Sequence, residues 1–118
     1  MASKFISNKA TWEALNTWKG QVTKFVAYNS SNEEVGSVDV SSGDFSIEPP
    51  DGPSFDGKLK LSSAKDITIG DNEDVAWYRL YGLMEAGEDR MAEVTFAEKE
   101  EYEFGGTFRI NTFELELD

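Results

Sequence analysis

The sequence has neither cysteine nor histidine, and this double absence removes most familiar catalytic chemistry. Without a thiol or an imidazole, Ser-His-Asp and Cys-His nucleophilic catalysis are excluded, as are zinc sites built on Cys or His ligands. Disulfides are excluded as well, so the fold does not depend on the redox state of its compartment. We therefore expect a protein that is not an enzyme, uses no metal or cofactor, and acts by binding.

Basic residues are scarce, since 11 Lys and Arg stand against 23 Asp and Glu, for a net charge of -12. Such a charge repels nucleic acid phosphates and anionic lipids, so we expect neither a nucleic acid nor a membrane partner. No apolar run is long enough for a membrane-spanning helix, and no secretory signal pattern opens the chain. Residues 1–20 carry three lysines and one glutamate, so a slightly basic segment leads an acidic body.

The length of 118 residues predicts one domain. Residues 1–20 are interpreted as an N-terminal arm with a short helix, and residues 21–118 as a β-sandwich domain. In the arm, residues 1–10 are expected to be extended, with Phe5 and Ile6 as apolar contacts. Thr11 is the expected N-cap of a two-turn helix that Gly20 closes.

After residue 20 the pattern is that of short strands separated by turn signals every 8–12 residues. Three prolines exclude residues 49–57 from a strand interior. The fold class predicted is all-β: a β-sandwich of jelly-roll type with eight to nine short antiparallel strands and one short N-terminal helix. The predicted strands are 22–28, 34–40, 44–48, 58–62, 66–69, 75–83, 90–96, 101–104 and 107–117, with turns at DNED (71–74) and EAGED (85–89).

Two stretches, FDGKLKL (55–61) and FGGTFRI (104–110), share the pattern aromatic, any residue, Gly, any residue, apolar, cationic, apolar. The glycine is expected to supply a backbone bend or a close approach. Either the same pair of strands is used twice, as in two Greek keys, or the match is convergent strand patterning.

Four acidic or aromatic clusters are candidate sites. DNED is interpreted as a solvated turn rather than a calcium loop, because it lacks EF-hand spacing. Glu114 and Glu116 are neighbours on one strand face, unlike the opposed carboxylates of a glycosidase. The acidic run 96–104 is either a solvated edge or a surface for a basic partner. Alternation places Trp77, Arg79 and Tyr81 on one face of a strand and Tyr78 and Leu80 on the other, which favours core packing over a sugar-binding platform.

Trp12, Leu15 and Trp18 form an apolar stripe on the predicted helix. This stripe is either a lid on the sandwich or a docking surface, because aromatic anchors dominate interface energetics. The candidate partner-binding residues are accordingly Lys4, Phe5, Ile6, Lys9, Trp12 and Trp18.

The C-terminal half resembles a loose family of small tailed-phage virion proteins. The motifs that carry the resemblance are DITI (66–69), WYRLY (77–81), AGED (86–89), AEVTF (92–96), GGTFRI (105–110) and LELD (115–118). It covers about 52 residues, and the N-terminal ALNTWKGQVTKFVAY, a helix followed by a strand, is similar too. This chain departs from the pattern in being more acidic.

The resemblance implies a virion structural protein, without catalytic residues to transfer. Our interpretation is a capsid decoration or cement protein, made in the host cytoplasm and bound to the exterior of the major capsid protein lattice. Its expected partners are the major capsid protein and neighbouring copies of itself. We expect a homo-oligomer, and a trimer is favoured. The alternative is a tail-fibre or tail-tip module that binds a receptor or glycan through an exposed aromatic patch around Trp77 and Tyr81.

Overall fold

A computed structural model describes residues 7–116, which form one α-helix and seven strands in two antiparallel sheets. The larger sheet has the strand order β2-β1-β5-β6, and the smaller one has the order β3-β4-β7. The predicted all-β class with one N-terminal helix is therefore confirmed. The elements are α1 (Asn8–Gln21), β1 (Val22–Tyr28), β2 (Glu34–Asp39), a 3-10 turn (Ser42–Asp44), β3 (Phe45–Ser46), β4 (Lys58–Leu61), β5 (Lys65–Met84), β6 (Gly87–Ile110) and β7 (Glu114–Glu116).

The helix begins earlier than predicted. Ser7 is the N-cap, and its hydroxyl oxygen accepts a hydrogen bond from the backbone N–H of Ala10 at 3.1 Å. Because a serine already satisfies one of the free N–H groups at this point, Thr11 is not needed as a cap. The helix therefore has about four turns instead of two. The predicted extended conformation is confirmed at Ser7, with φ of -67° and ψ of 154°, and is wrong for residues 8–10. Residues 1–6 of that segment lie outside the described part.

Strands β5 and β6 form a hairpin whose register runs from Lys65 opposite Ile110 to Met84 opposite Gly87. A two-residue turn joins them at Glu85 and Ala86, which confirms the turn predicted there. The turn predicted at DNED is wrong, because the ladder continues through it. This continuity merges strands that were predicted as separate, so residues 7–116 contain seven strands instead of eight to nine.

The hairpin cannot be straight. Twenty extended residues would span about 66 Å, whereas the longest dimension of the molecule is 50 Å. The bend lies at the acidic ribbon, which we define as residues 70–74 of β5 and 98–106 of β6. Ile67 and Ile69 before the ribbon and Val75 after it are buried, whereas residues 70–72 are exposed.

The start of β5 packs on the inner face of β2, although β2 pairs only with β1. A Cβ atom on Gly36 of β2 would lie 2.5 Å from Cγ2 of Ile67 and 2.8 Å from the carbonyl oxygen of Thr68. The hairpin therefore passes from one layer to the other, and the ribbon is the corner. Sandwich corners of this kind are made by strands that switch layers at bends and bulges.

The core between the layers is rich in aromatic rings. Phe25 of β1 has no exposed surface, and its ring centroid lies 6.2 Å from that of Phe45, 5.7 Å from Tyr78 and 5.4 Å from Phe113. Leu59, at the centre of the smaller sheet, is also fully buried. These contacts connect both sheets around one core.

The two F-x-G stretches differ in backbone conformation and in position. Gly57 and Gly106, the shared glycines of the motif, have φ of 69° and 151°, values that glycine adopts more readily than other residues. Residues 58–61 are the central strand of the smaller sheet, whereas residues 107–110 pair with β5 in the larger one. Of the two alternatives for this repeat, the use of one strand pair twice is therefore wrong at these strands, and convergent strand patterning remains.

Candidate functional site

The candidate partner-binding residues fall into three groups. Lys4, Phe5 and Ile6 lie outside the described residues. Lys9 is exposed in the first turn of α1. Trp12 and Trp18 are half-buried on the same helix, so α1 brings a cation and two indoles to one element.

Helix α1 covers one end of the core. Leu15 is fully buried, and Trp18 packs against the core cluster. If α1 is a lid on the sandwich, Trp18 must contact the core, and it does so here. The docking role of Trp12 and of the residues before Ser7 stays a prediction.

We expect Trp18→Ala to lower the free energy of unfolding by about 2 kcal/mol, because it removes a large side chain from the edge of the core. Urea denaturation of the free protein measures this change. Trp12→Ala is the matched control, because Trp12 is also half-buried on the same helix but lies outside the set of side chains packed on the core cluster. Equal losses for the two variants would contradict the lid role of Trp18.

A second candidate site is an aromatic cluster on the outer face of the larger sheet. Trp77, Arg79 and Tyr81 of β5 are half-buried there, while Tyr78 and Leu80 point into the core. The predicted alternation along this strand is confirmed. Strand β1 completes the cluster, because Tyr28 lies opposite Trp77 and Val26 opposite Arg79.

The cluster is held by stacking and hydrogen bonds. The rings of Tyr28 and Trp77 are stacked, with centroids 4.1 Å apart and planes inclined by 9°. The indole N–H of Trp77 donates to Oδ1 of Asn32 at 3.0 Å. Asn32 has a φ of 63° in the loop between β1 and β2, a conformation that asparagine adopts more readily than most residues. The loop thus fixes the orientation of the indole.

Arg79 lies at the centre of the cluster. Its guanidinium carbon is 5.0 Å from the ring centroid of Trp77 and 5.4 Å from those of Tyr28 and Tyr81. The same group donates to the hydroxyl oxygen of Tyr81 at 2.9 Å and to Oε1 of Glu93 at 3.0 Å. The rings thus already interact with one another and with a cation, although an open depression of about 560 Å³ beside Trp77 remains.

The hydroxyl groups of Tyr28 and Tyr81 are 2.6 Å apart. Burial, together with the hydrogen bond to Tyr81, raises the pKa of Tyr28 from 10.0 to about 12. Because the folded protein favours the neutral phenol, this contribution to stability is complete below pH 10 and is lost as the pH rises from 10 towards 12.

We expect Tyr28 to titrate near pH 12 and its pKa to fall in Tyr81→Phe, because that variant removes the hydrogen bond. The ¹³Cζ chemical shifts of the tyrosines, followed by NMR against pH, measure the pKa of each phenol. Tyr102 is an internal control: its pKa is also raised to about 12, by burial and by a hydrogen bond to Glu100, and Tyr81→Phe leaves it unchanged. A Tyr28 pKa of 10 in the wild type would contradict the expectation.

The acidic ribbon is the third candidate surface. It carries seven carboxylates and one lysine, and the side chain of Phe104 in its midst is 86% exposed. No group of three or more acidic side chains within residues 7–116 is arranged to hold a metal ion. Nor does any helix in this part of the chain have the length and apolarity to cross a membrane.

Glu114 and Glu116 lie on β7, both exposed, and pair in register with Lys60 and Lys58 of β4. Nζ of Lys58 lies 3.0 Å from Oε2 of Glu114. The two carboxylates are thus neighbours on one strand, beside lysines, and do not face each other across a cleft as a glycosidase requires.

The sequence did not single out Tyr28, Asn32 or Glu93. One signal was present: alternation along β1 places Lys24, Val26 and Tyr28 on one face, which matches the face of Trp77 once the two strands are paired. The register of that pairing is set by contacts 49 to 60 residues apart in sequence, and a local pattern does not contain it.

Comparisons with known proteins give no relative. No family model, no curated protein and no solved structure matches this chain.

Proposed function

We propose that this protein is a structural component of a tailed-phage particle, a capsid decoration or cement protein that binds the exterior of the major capsid protein lattice and contacts neighbouring copies of itself. It acts by binding and not by catalysis. Synthesis in the host cytoplasm and assembly on the capsid follow from this role. The motifs of the C-terminal half support the proposal, as does the lack of thiol and imidazole groups.

The observation that carries the proposal is the attachment of α1. Ser7 caps the helix, and Leu15 and Trp18 fix it on the core. The chain that precedes Ser7, with Lys4, Phe5 and Ile6, is therefore joined to the body at a fixed point beside the exposed Lys9. Lysine followed in sequence by two apolar residues, as at positions 4–6, suits an acidic capsid surface with an apolar contact.

A clamp of this kind can rely on many weak, repeated contacts. Each contact that forms on the lattice raises the effective concentration for the next one. A shell under internal pressure gains strength from such clamps across subunit junctions.

We further propose that the two-sheet architecture is of the jelly-roll type. One core shared by both sheets and a hairpin that passes between the layers support this assignment.

Deletion of residues 1–6 tests the anchor without removing the N-cap. Undecorated capsids of the parent phage are mixed with wild-type or truncated protein, and occupancy is measured by cryo-electron microscopy. We expect the truncated protein to keep its melting temperature and to lose most of its occupancy. Full occupancy by the truncated protein would rule out the anchor, and no binding by the wild type would rule out the decoration role.

The stacked pair of Tyr28 and Trp77 beside an open depression favours a second candidate function, a tail-fibre or tail-tip module that binds a receptor glycan. Such binding would appear on a glycan array and be lost in Trp77→Ala. Trp12→Ala, a change of the same kind on a remote helix, is the control. Glycan binding that survives in Trp77→Ala would exclude this cluster as the site.

A further inference from the structure

The acidic ribbon presents one large apolar side chain to solvent. Phe104 is 86% exposed and lies opposite Asp71 in the register of the hairpin. Gly105 and Gly106, with φ of 72° and 151°, follow it and fix the backbone at this corner. An exposed aromatic ring surrounded by charged groups is the pattern of an interface anchor with a polar rim.

A hollow of about 150 Å³ opens at the other end of the same hairpin, near its turn. Its walls are mostly apolar and include two methionines, whose flexible side chains adapt to an inserted group. A cavity of about this volume with apolar walls accommodates a benzene ring, which is the terminal group of phenylalanine. The lining residues are Trp18, Met84, Arg90, Met91 and Leu115.

The one charged residue in the lining of the hollow, Arg90, is opposite in sign to the acidic ribbon. Oε1 of Glu93 lies 2.8 Å from Nη2 of Arg79 and 3.2 Å from Nη1 of Arg90, so one carboxylate is shared by two guanidinium groups. Of these three groups only Arg90 lines the hollow, and its side chain is 64% exposed. The ribbon around Phe104, by contrast, has seven carboxylates and one lysine.

We propose that Phe104 of one copy inserts into the hollow beside Trp18 of a second copy, with the carboxylates of the ribbon against Arg90. The inserted residue and the hollow lie on different parts of each chain, so the contact is head-to-tail. Such contacts close into a ring when the rotation between copies permits, and a trimer is one such ring.

This inference rests on the proposed function in one respect, which is that neighbouring copies meet on the capsid lattice. A single ring in a shallow hollow gives a weak contact between free copies. On a particle the same contact would strengthen, because neighbours are already held near each other. Self-association of the free protein can therefore fail while capsid binding succeeds, and the two results are read separately.

Sedimentation velocity up to about 1 mM protein measures the self-association. We expect the wild type to associate and Phe104→Ala to raise the dissociation constant by about tenfold or more, as for other aromatic anchors. Leu83→Ala is the matched control, because Leu83 is 59% exposed and lies on the strand face opposite to Met84. A wild type that stays monomeric at about 1 mM, or a Phe104→Ala variant that associates normally, would overturn the inference.

A complementation experiment tests the head-to-tail geometry. Phe104→Ala keeps the hollow, whereas Met84→Glu keeps Phe104 and places a carboxylate in the hollow. We expect each variant alone to be monomeric and their mixture to form heterodimers and nothing larger. Arg90→Glu, which reverses the charge of an exposed side chain, replaces Met84→Glu if the latter does not fold. A mixture that stays monomeric, or one that forms trimers, would overturn the proposed contact.

Discussion

Phe25→Ala is expected to lower the free energy of unfolding by about 3–5 kcal/mol, the usual cost of removing a buried phenylalanine ring. The ring has no exposed surface and packs against Phe45, Tyr78 and Phe113. These partners belong to both layers, so the surroundings cannot close over the cavity without moving a sheet. A small domain has only about 5–15 kcal/mol of stability, and this variant would therefore be near the limit of folding.

Guanidinium chloride denaturation of the wild type and the variant, monitored by tryptophan fluorescence, measures the loss. Phe104→Ala is the matched control, because the same substitution at an 86% exposed side chain should change stability by no more than about 0.5 kcal/mol. A Phe25→Ala variant as stable as this control would show that the two sheets do not share the core described above.

Gly36→Ala is the second substitution with a large expected effect. Its Cβ atom would lie 2.5 Å from Cγ2 of Ile67 and 2.8 Å from the carbonyl oxygen of Thr68. The side chain of Ile67 is fully buried and the carbonyl belongs to the backbone, so β2 and the start of β5 must separate to admit the methyl group. Forced insertions of this kind cost about 1–3 kcal/mol.

Gly70→Ala is its control, since nothing lies within 4 Å of a Cβ atom placed on Gly70 of β5. We expect that variant to match the wild type within about 0.5 kcal/mol, or to exceed it slightly because alanine restricts the unfolded chain. Thermal unfolding of both variants gives the comparison. A neutral Gly36→Ala would mean that the start of β5 does not pack on β2.

The parts of the fold that depend on local pattern were predictable. Alternation placed Trp77 and Tyr78 on opposite faces of one strand, without deciding which face is core, and the EAGED stretch (85–89) indicated the hairpin turn. The turn predicted at residues 71–74 was wrong. The polar residues there are typical of a turn, whereas here the ladder runs through an exposed corner. Polar composition reports exposure, and an exposed strand has the same composition as an exposed turn.

The candidate surfaces were predictable only in part. Trp18 and Trp77 could be named from the sequence, since tryptophans on regular elements are few. The partners that define their surroundings could not, because Leu115 and Tyr28 reach them through pairings distant in sequence. The exposure of Phe104 was equally hidden: a phenylalanine in a strand is more often buried, and only the corner of the hairpin turns this one outward.

The pairing of β7 with β4 has a consequence for synthesis on the ribosome. Strand β4 must wait for residues 114–116, its partners 54 to 58 residues later in the chain, before its second edge is covered. The larger sheet faces a similar delay, because β1 pairs with residues 77–82. The nascent chain therefore emerges with apolar strands that lack their neighbours until the later strands have also left the exit tunnel. A chain that terminates prematurely before residue 114 leaves β4 open along one side, where it can aggregate or be degraded.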